Sequence, residues 1–179
     1  MLFMEEAFVE YLWKQGIFKE KDIIGKNCLV VGGSYIVGEN YAPTLRSHLL
    51  RMGALRCDNI MLFDPHFRES FCDLTDTKEA IGSLCYDVII VLSGMEKTRN
   101  IREGVHQLEE ACRVGGKIFV VARTPKDISA RQEINAYEDL WRYDVQDLSS
   151  LFGGCSLEMT ASSGDGEIVA AVFTRGVGA

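Results

Sequence analysis

Apolar residues in this chain fall into short continuous runs that alternate with stripes at helical spacing. Met4, Phe8, Tyr11 and Leu12 recur at intervals of three and four, with Glu5, Glu6 and Glu10 between them, which predicts a helix near the start. Gly16 ends it and Gly25 closes the lead-in. The run Cys28-Leu29-Val30-Val31 stops at Gly32-Gly33 and reads as a strand buried on both faces. From about Tyr41 a second helical stripe follows, with Leu45, Leu49 and Met52 on one side. Gly53 occupies its C-terminal cap, and Pro43 is compatible with its first turn. Residues 59–63 then predict a second strand, ending at Asp64-Pro65.

The same alternation continues. Residues 71–75 (FCDLT) read as a short edge strand and turn, with Thr75 or Asp76 as cap of a helix carrying Ala80, Ile81 and Leu84. Residues 87–92 (DVIIVL) give the clearest buried strand. Ile101, Val105, Leu108 and Cys112 form a helical stripe closed by Gly115-Gly116, and residues 117–122 form another strand. Asp144 is placed to cap a helix whose apolar face is Val145, Leu148 and Phe152. The chain ends in two strand-like segments, 156–161 and 167–174, around Ser162-Ser163-Gly164-Asp165-Gly166, which is a hairpin signal. Alternating strands and helices predict an α/β fold, a Rossmann-like three-layer sandwich with a mostly parallel sheet and a C-terminal antiparallel hairpin. One domain is expected over 1–179, with 1–26 a helical lead-in and 27–175 the Rossmann-like core.

Composition narrows the function. With 47% hydrophobic and 25% charged residues, the 179-residue chain is ordinary globular material. Its net charge of −7, with no cluster of Lys or Arg, disfavours direct nucleic-acid binding. The six cysteines include no C-x-x-C pair and the three histidines are scattered, so no metal-ligand spacing is present. Buried free thiols in a reducing, cytoplasmic setting are the expectation. No membrane-spanning run and no basic-then-apolar leader occur in the sequence.

In an open parallel sheet, ligands bind beyond the C-terminal ends of the strands, where the strand order reverses. Gly32, Gly33 and Ser34, then Asp64, then Asp73 and Leu74, then Ser93, fall at those ends. Paired glycines let backbone approach a ligand closely. Asp64 suits a pair of ribose hydroxyls and Asp73 an exocyclic amine, with Leu74 offering a backbone N–H or an apolar face. Each has an ordinary turn or cap reading as well. Gly33 and Gly38 have the spacing of a phosphate-binding loop, but Glu39-Asn40 stands where that loop needs Lys and Ser or Thr. The dinucleotide fingerprint is absent, and Asp64 lies further on than the ~20 residues usual for its acidic partner. An adenosine ligand without a pyrophosphate suits the pattern better.

Several segments resemble the class I S-adenosylmethionine-dependent methyltransferases, small type-11-like members in particular. Tyr86-Asp87-Val88-Ile89-Ile90 is similar to that family's fourth strand, and Leu108 through Lys117 (LEEACRVGGK) to its segment before the fifth. Asp139-Leu140-Trp141-Arg142-Tyr143 with Asp147-Leu148 resembles a further family stretch, and Cys72-Asp73-Leu74-Thr75 its adenine-side turn. The resemblance spans roughly 27–175. It implies S-adenosylmethionine as cofactor, S-adenosylhomocysteine as product, and in-line attack of an acceptor oxygen, nitrogen or carbon on the methyl group. It places Gly32, Gly33 and Ser34 at the methionine end, Asp64 at the ribose, Asp73 and Leu74 at the adenine and Ser93 at the pocket floor. The family's acidic-x-Gly-x-Gly loop is altered, with Val30 at the acidic position and Ser34 at the second glycine; Glu39 is a substitute acid from the next helix. Met95-Glu96-Lys97 replaces the family's Leu-Glu-His, so the histidine is missing. His66, Glu96, Arg123, Trp141, Arg142 and Tyr143 are acceptor-side candidates, and the resemblance names neither acceptor nor catalytic base. An inactive methyltransferase-like scaffold that binds protein partners is the alternative.

Overall fold

The computed structural model describes residues 12–14, 16–17, 19–32, 45–60, 74–92, 95–125 and 142–177. Among the described residues six strands form one sheet: β1 (Asn27–Val31), β2 (Arg56–Ile60), β3 (Tyr86–Val91), β4 (Cys112–Arg123), β5 (Cys155–Ser162) and β6 (Ile168–Arg175). Their order is β2-β1-β3-β4-β6-β5. The first four run parallel, and β6 enters antiparallel between β4 and β5. This is the expected mixed sheet with its terminal hairpin.

Burial on both faces explains why the strands read as continuous apolar runs. Leu29, Val31, Ile89, Val91, Ile118 and Val120 join one core cluster. Cys28, Val30, Val88, Ile90, Phe119 and Val121 join the other. Among the described residues, helices α1 (Leu45–Arg51), α2 (Thr77–Ile81), α3 (Ile101–Ala111) and α4 (Val145–Leu151) cover these faces. Ile81, Val105, Leu108 and Leu148, from α2, α3 and α4, fill the first cluster. Leu49 of α1, with Leu12 and Ile23, fills the second. Three layers result. No helix among the described residues is long and apolar enough to cross a membrane.

The ends of the elements follow local chemistry. Asp144 caps α4 as expected: its Oδ1 accepts from the Asp147 N–H at 2.8 Å, and the Asp144 N–H donates to Asp147 Oδ2 at 3.0 Å. Asn100 caps α3 through the Glu103 N–H. Gly53 follows α1 with φ +96, the left-handed conformation that a C-terminal cap requires.

Three expectations are corrected. Residues 59–63 are expected as the second strand, but β2 begins at Arg56, and residues 61–63 lie outside the described residues. Backbone pairing with β1, from Asn27↔Arg56 to Val31↔Ile60, extends the strand through polar positions that carry no apolar signal. The expected Ala80-Ile81-Leu84 stripe is reduced to Ile81, because α2 stops at Gly82 (φ +63) before a further turn brings Leu84 inward. Asp76 sits at the N-cap without a side-chain cap bond, while the Thr77 hydroxyl donates to the Leu74 carbonyl at 2.7 Å.

The third correction concerns Gly115-Gly116. Helix α3 ends at Ala111 and the glycines lie inside β4, where the register moves from Tyr86↔Cys112 to Val88↔Lys117. Asp87 alone stands opposite Arg113-Val114-Gly115-Gly116, so these residues form a bulge. Asp87 fastens it: Oδ1 accepts from Arg113 Nη1 at 2.9 Å and Oδ2 from the Asn27 N–H at 2.8 Å.

Candidate functional site

The strand order reverses at β1, whose sequential neighbour β2 lies on one side while β3 lies on the other. In open parallel sheets the crevice at such a reversal, here beyond the exits of β1 and β3, is where ligands bind. Backbone hydrogen bonds level these exits: the Gly32 N–H donates to the Ile60 carbonyl at 2.9 Å, and the Leu92 N–H to the Val31 carbonyl at 2.9 Å. Gly32 has φ +81, a conformation natural to glycine and strained for any residue with a Cβ. Gly32 is itself buried, with no side chain, where β1 ends.

A second group of residues stands at the exits of β3 and β4. Glu96, in the short turn Met95–Lys97, is 3% exposed, and its Oε1 accepts from the Arg123 N–H at 3.0 Å. The Tyr143 hydroxyl donates to the Met95 carbonyl at 3.0 Å, and the Tyr143 N–H donates to the Arg123 carbonyl at 2.9 Å. Burial, reinforced by the charges of Glu96 and Asp147, holds the Tyr143 phenol above its ordinary value, so it remains a proton donor throughout the neutral range. On the far side of β4, the Thr124 N–H donates to the Glu167 carbonyl at 2.8 Å and its hydroxyl to the Gly166 carbonyl at 2.6 Å. The tip of the terminal hairpin is thereby tied to the same end of the sheet.

Of the sequence-derived site residues, Gly32 stands at the crevice. Leu74 is fully buried beneath α3, with its side chain against Gly104, so its apolar face is turned into the core. Gly33, Ser34, Asp64, Asp73 and Ser93 lie outside the described residues, as do Glu39, His66 and Trp141. Val30, at the position where the resemblance expects an acid, is a core residue 3% exposed. Glu96, Arg123 and Tyr143, named only as weak acceptor-side candidates, are brought together. Their only sequence signal is a glutamate and a Trp-Arg-Tyr stretch beside strand ends, with nothing to show that they meet. Thr124 has no such signal.

No protein-family model matches the sequence, and no curated relative matches it. Solved structures do match in shape. One is a chain of the "Complex between the Haloferax volcanii Trm112 methyltransferase activator and the putative methyltransferase" (TM-score 0.67, 9% identity, 99% of this chain and 95% of that one). Another is an S-adenosylmethionine-dependent methyltransferase from Mesorhizobium loti (TM-score 0.65, 10% identity, 90% and 95%). A third is the Burkholderia thailandensis 1,6-didemethyltoxoflavin-N1-methyltransferase, solved with S-adenosylhomocysteine (TM-score 0.62, 11% identity, 97% and 88%). This chain has the class I methyltransferase fold. At these identities the likeness is one of fold. Within it, Gly32 stands at the exit of β1 and the Glu96–Tyr143 group at the exits of β3 and β4, one and two strands across.

Proposed function

We propose that this chain binds S-adenosylmethionine and transfers its methyl group to an acceptor. The observation that carries the reading is Gly32 at the reversal of strand order, with a left-handed backbone and no side chain, in a methyltransferase fold that accounts for nearly the whole chain. Such a turn fits a ligand that lies close against backbone. When bound, S-adenosylmethionine supplies a methyl group on a sulfonium sulfur. The chain's task is to hold and aim. Gly32, Gly33 and Ser34 line the methionine end, Asp64 accepts from the ribose hydroxyls, Asp73 and the Leu74 N–H face the adenine, and Ser93 lies on the pocket floor. Aligning an acceptor with the methyl group supplies much of such a reaction, so no fixed proton-transfer residue is obligatory.

The test is thermal unfolding with and without S-adenosylhomocysteine. At a hundredfold its dissociation constant the ligand adds about 2.7 kcal/mol, a rise of roughly 5–10 °C in the midpoint for a chain of this size. Asp64→Ala abolishes that rise if the ribose assignment is right. One observation favours a second reading, an inactive scaffold that engages a protein partner. Val30 fills the acidic position with a core side chain packed in the cluster that includes Leu49 and Cys57, leaving no carboxylate there to hold the cofactor's amino group. The Haloferax volcanii neighbour is itself complexed with the Trm112 activator, so a protein partner is compatible with either reading. No shift with millimolar S-adenosylhomocysteine, in a protein that unfolds cooperatively, decides for the scaffold.

A further inference from the structure

We propose that Glu96 and Tyr143 are positioning residues for cofactor binding, a clasp that fixes the turn after β3 against the exit of β4 and so presets the wall of the crevice. The inference rests on the methyltransferase reading and adds residues to it. The last β3–β4 pair is Val91↔Val120, so β4 runs on to Arg123 with no further residue of β3 beside it. Thr124 bonds toward β6 through Glu167. Arg123 turns its backbone groups to Glu96 and Tyr143 instead: the N–H to the Glu96 carboxylate at 3.0 Å, the carbonyl to the Tyr143 N–H at 2.9 Å. The Tyr143 hydroxyl then reaches the Met95 carbonyl at 3.0 Å, which closes the link back to the residue before Glu96.

The choice of side chain gives this clasp its meaning. Glu96 is the only carboxylate among the described residues that is buried. The ion-paired carboxylates Asp22, Asp87, Asp58 and Glu158 have side chains 12%, 21%, 31% and 41% exposed. Burying a carboxylate is expensive unless it is held by hydrogen bonds. Glu96 is buried at the ligand end of the sheet and accepts from the Arg123 N–H, so the bond holds the turn after β3 and the end of β4 in a set place. A wall held in its binding shape before the ligand arrives lowers the ordering cost of association.

Calorimetric titration with S-adenosylhomocysteine tests this on the full chain carrying Glu96→Ala, Glu96→Gln or Tyr143→Phe. Tyr143→Phe removes only the hydroxyl, and Glu96→Gln keeps an oxygen that accepts from Arg123. Losing either link weakens binding about tenfold, equivalent to about 1.4 kcal/mol. Glu96→Gln stays within about threefold of the unchanged protein. The conservative rescue separates hydrogen-bonded positioning from a need for the charge itself, and a tenfold loss in Glu96→Gln overturns the hydrogen-bond account. Wild-type affinity in Tyr143→Phe, with only a lowered unfolding midpoint, reduces the clasp to a structural contact and overturns the proposal. If Glu96→Ala does not fold, Tyr143→Phe decides. Should the unchanged protein bind no S-adenosylhomocysteine, the methyltransferase reading fails first and takes the clasp with it. Binding by the unchanged protein together with unaltered variants sinks the clasp alone.

Discussion

Leu74 lies so close to Gly104 of α3 that a Cβ on the glycine would stand 2.6 Å from the leucine Cβ, with Thr98 Cγ2 at 3.3 Å. The absent side chain lets the turn that begins at Leu74 settle onto the helix, and Leu74 is fully buried there. Gly104→Ala gains helix propensity, roughly 0.5–1 kcal/mol, but overpacks this contact, typically at 1–3 kcal/mol. The expected net loss is about 1–2 kcal/mol, or roughly 2–8 °C in the thermal midpoint. The variant should also bind S-adenosylhomocysteine more weakly, because Leu74 moves. A Gly104→Ala protein as stable as the original removes the close approach.

Gly116 and Gly153 should respond oppositely to alanine. A Cβ on Gly116 would meet the Arg113 carbonyl at 2.8 Å and the Asp87 carbonyl at 2.9 Å, both backbone atoms held by the β4 bulge. Around Gly153 nothing lies within 4 Å. Urea unfolding should therefore show Gly116→Ala losing about 2 kcal/mol or more. Gly153→Ala should be neutral or stabilised by up to about 1 kcal/mol through the unfolded chain. Equal effects at the two positions contradict the bulge.

Glu158 links stability to acid. Its carboxylate accepts from the Thr174 hydroxyl and pairs with Lys117 at 3.3 Å, and these partners hold it below its ordinary value of 4.5. A carboxyl group lowered by folding contributes stability that is complete above the unfolded value and is lost as pH falls through the folded one. The midpoint gap between the unchanged protein and Glu158→Gln is therefore widest near neutral pH and closes in the acid range. Because the pair is partly exposed, added salt narrows the gap. A gap that stays constant down to about pH 3 rules the linkage out.

Thiol reactivity should report burial. Desolvation pushes Cys28 up to about 12 and Cys57 up to about 11. Cys112 and Cys155 are likewise raised to about 12 by burial. Among the described cysteines Cys85 is the exposed one. Alkylation of the native protein near pH 8, read by peptide mass spectrometry, should mark Cys85 well before these four, because the thiolate is the nucleophile. Comparable rates at Cys28 and Cys85 contradict the packing of β1. Unfolding should level the rates.

The architecture was readable because its signals are local. A strand buried on two faces is continuously apolar, as 28–31 and 87–92 are, and a capping box is written within four residues, as Asp144 and Asp147 show. Signals that belong to pairing were not readable. Strand β2 extends through Arg56 and Asp58 because β1 lies beside it, and Arg56 bonds Asp58 at 2.7 Å on the way. Gly115-Gly116 looks like a helix stop in sequence, whereas Asp87 on a neighbouring strand makes it a bulge.

By itself the sequence determined the alternation of strands and helices, the terminal hairpin, and the glycine at which β1 ends, since each depends on the period of side chains or on one residue's own backbone freedom. Only the tertiary structure decided that Leu74 faces the core under Gly104 and that Glu96 and Tyr143 meet at Arg123. Glu96 and Tyr143 are far apart along the chain, and no pattern of hydrophobicity records a distance in space. A buried carboxylate and an exposed one are the same letter until the strands close around it.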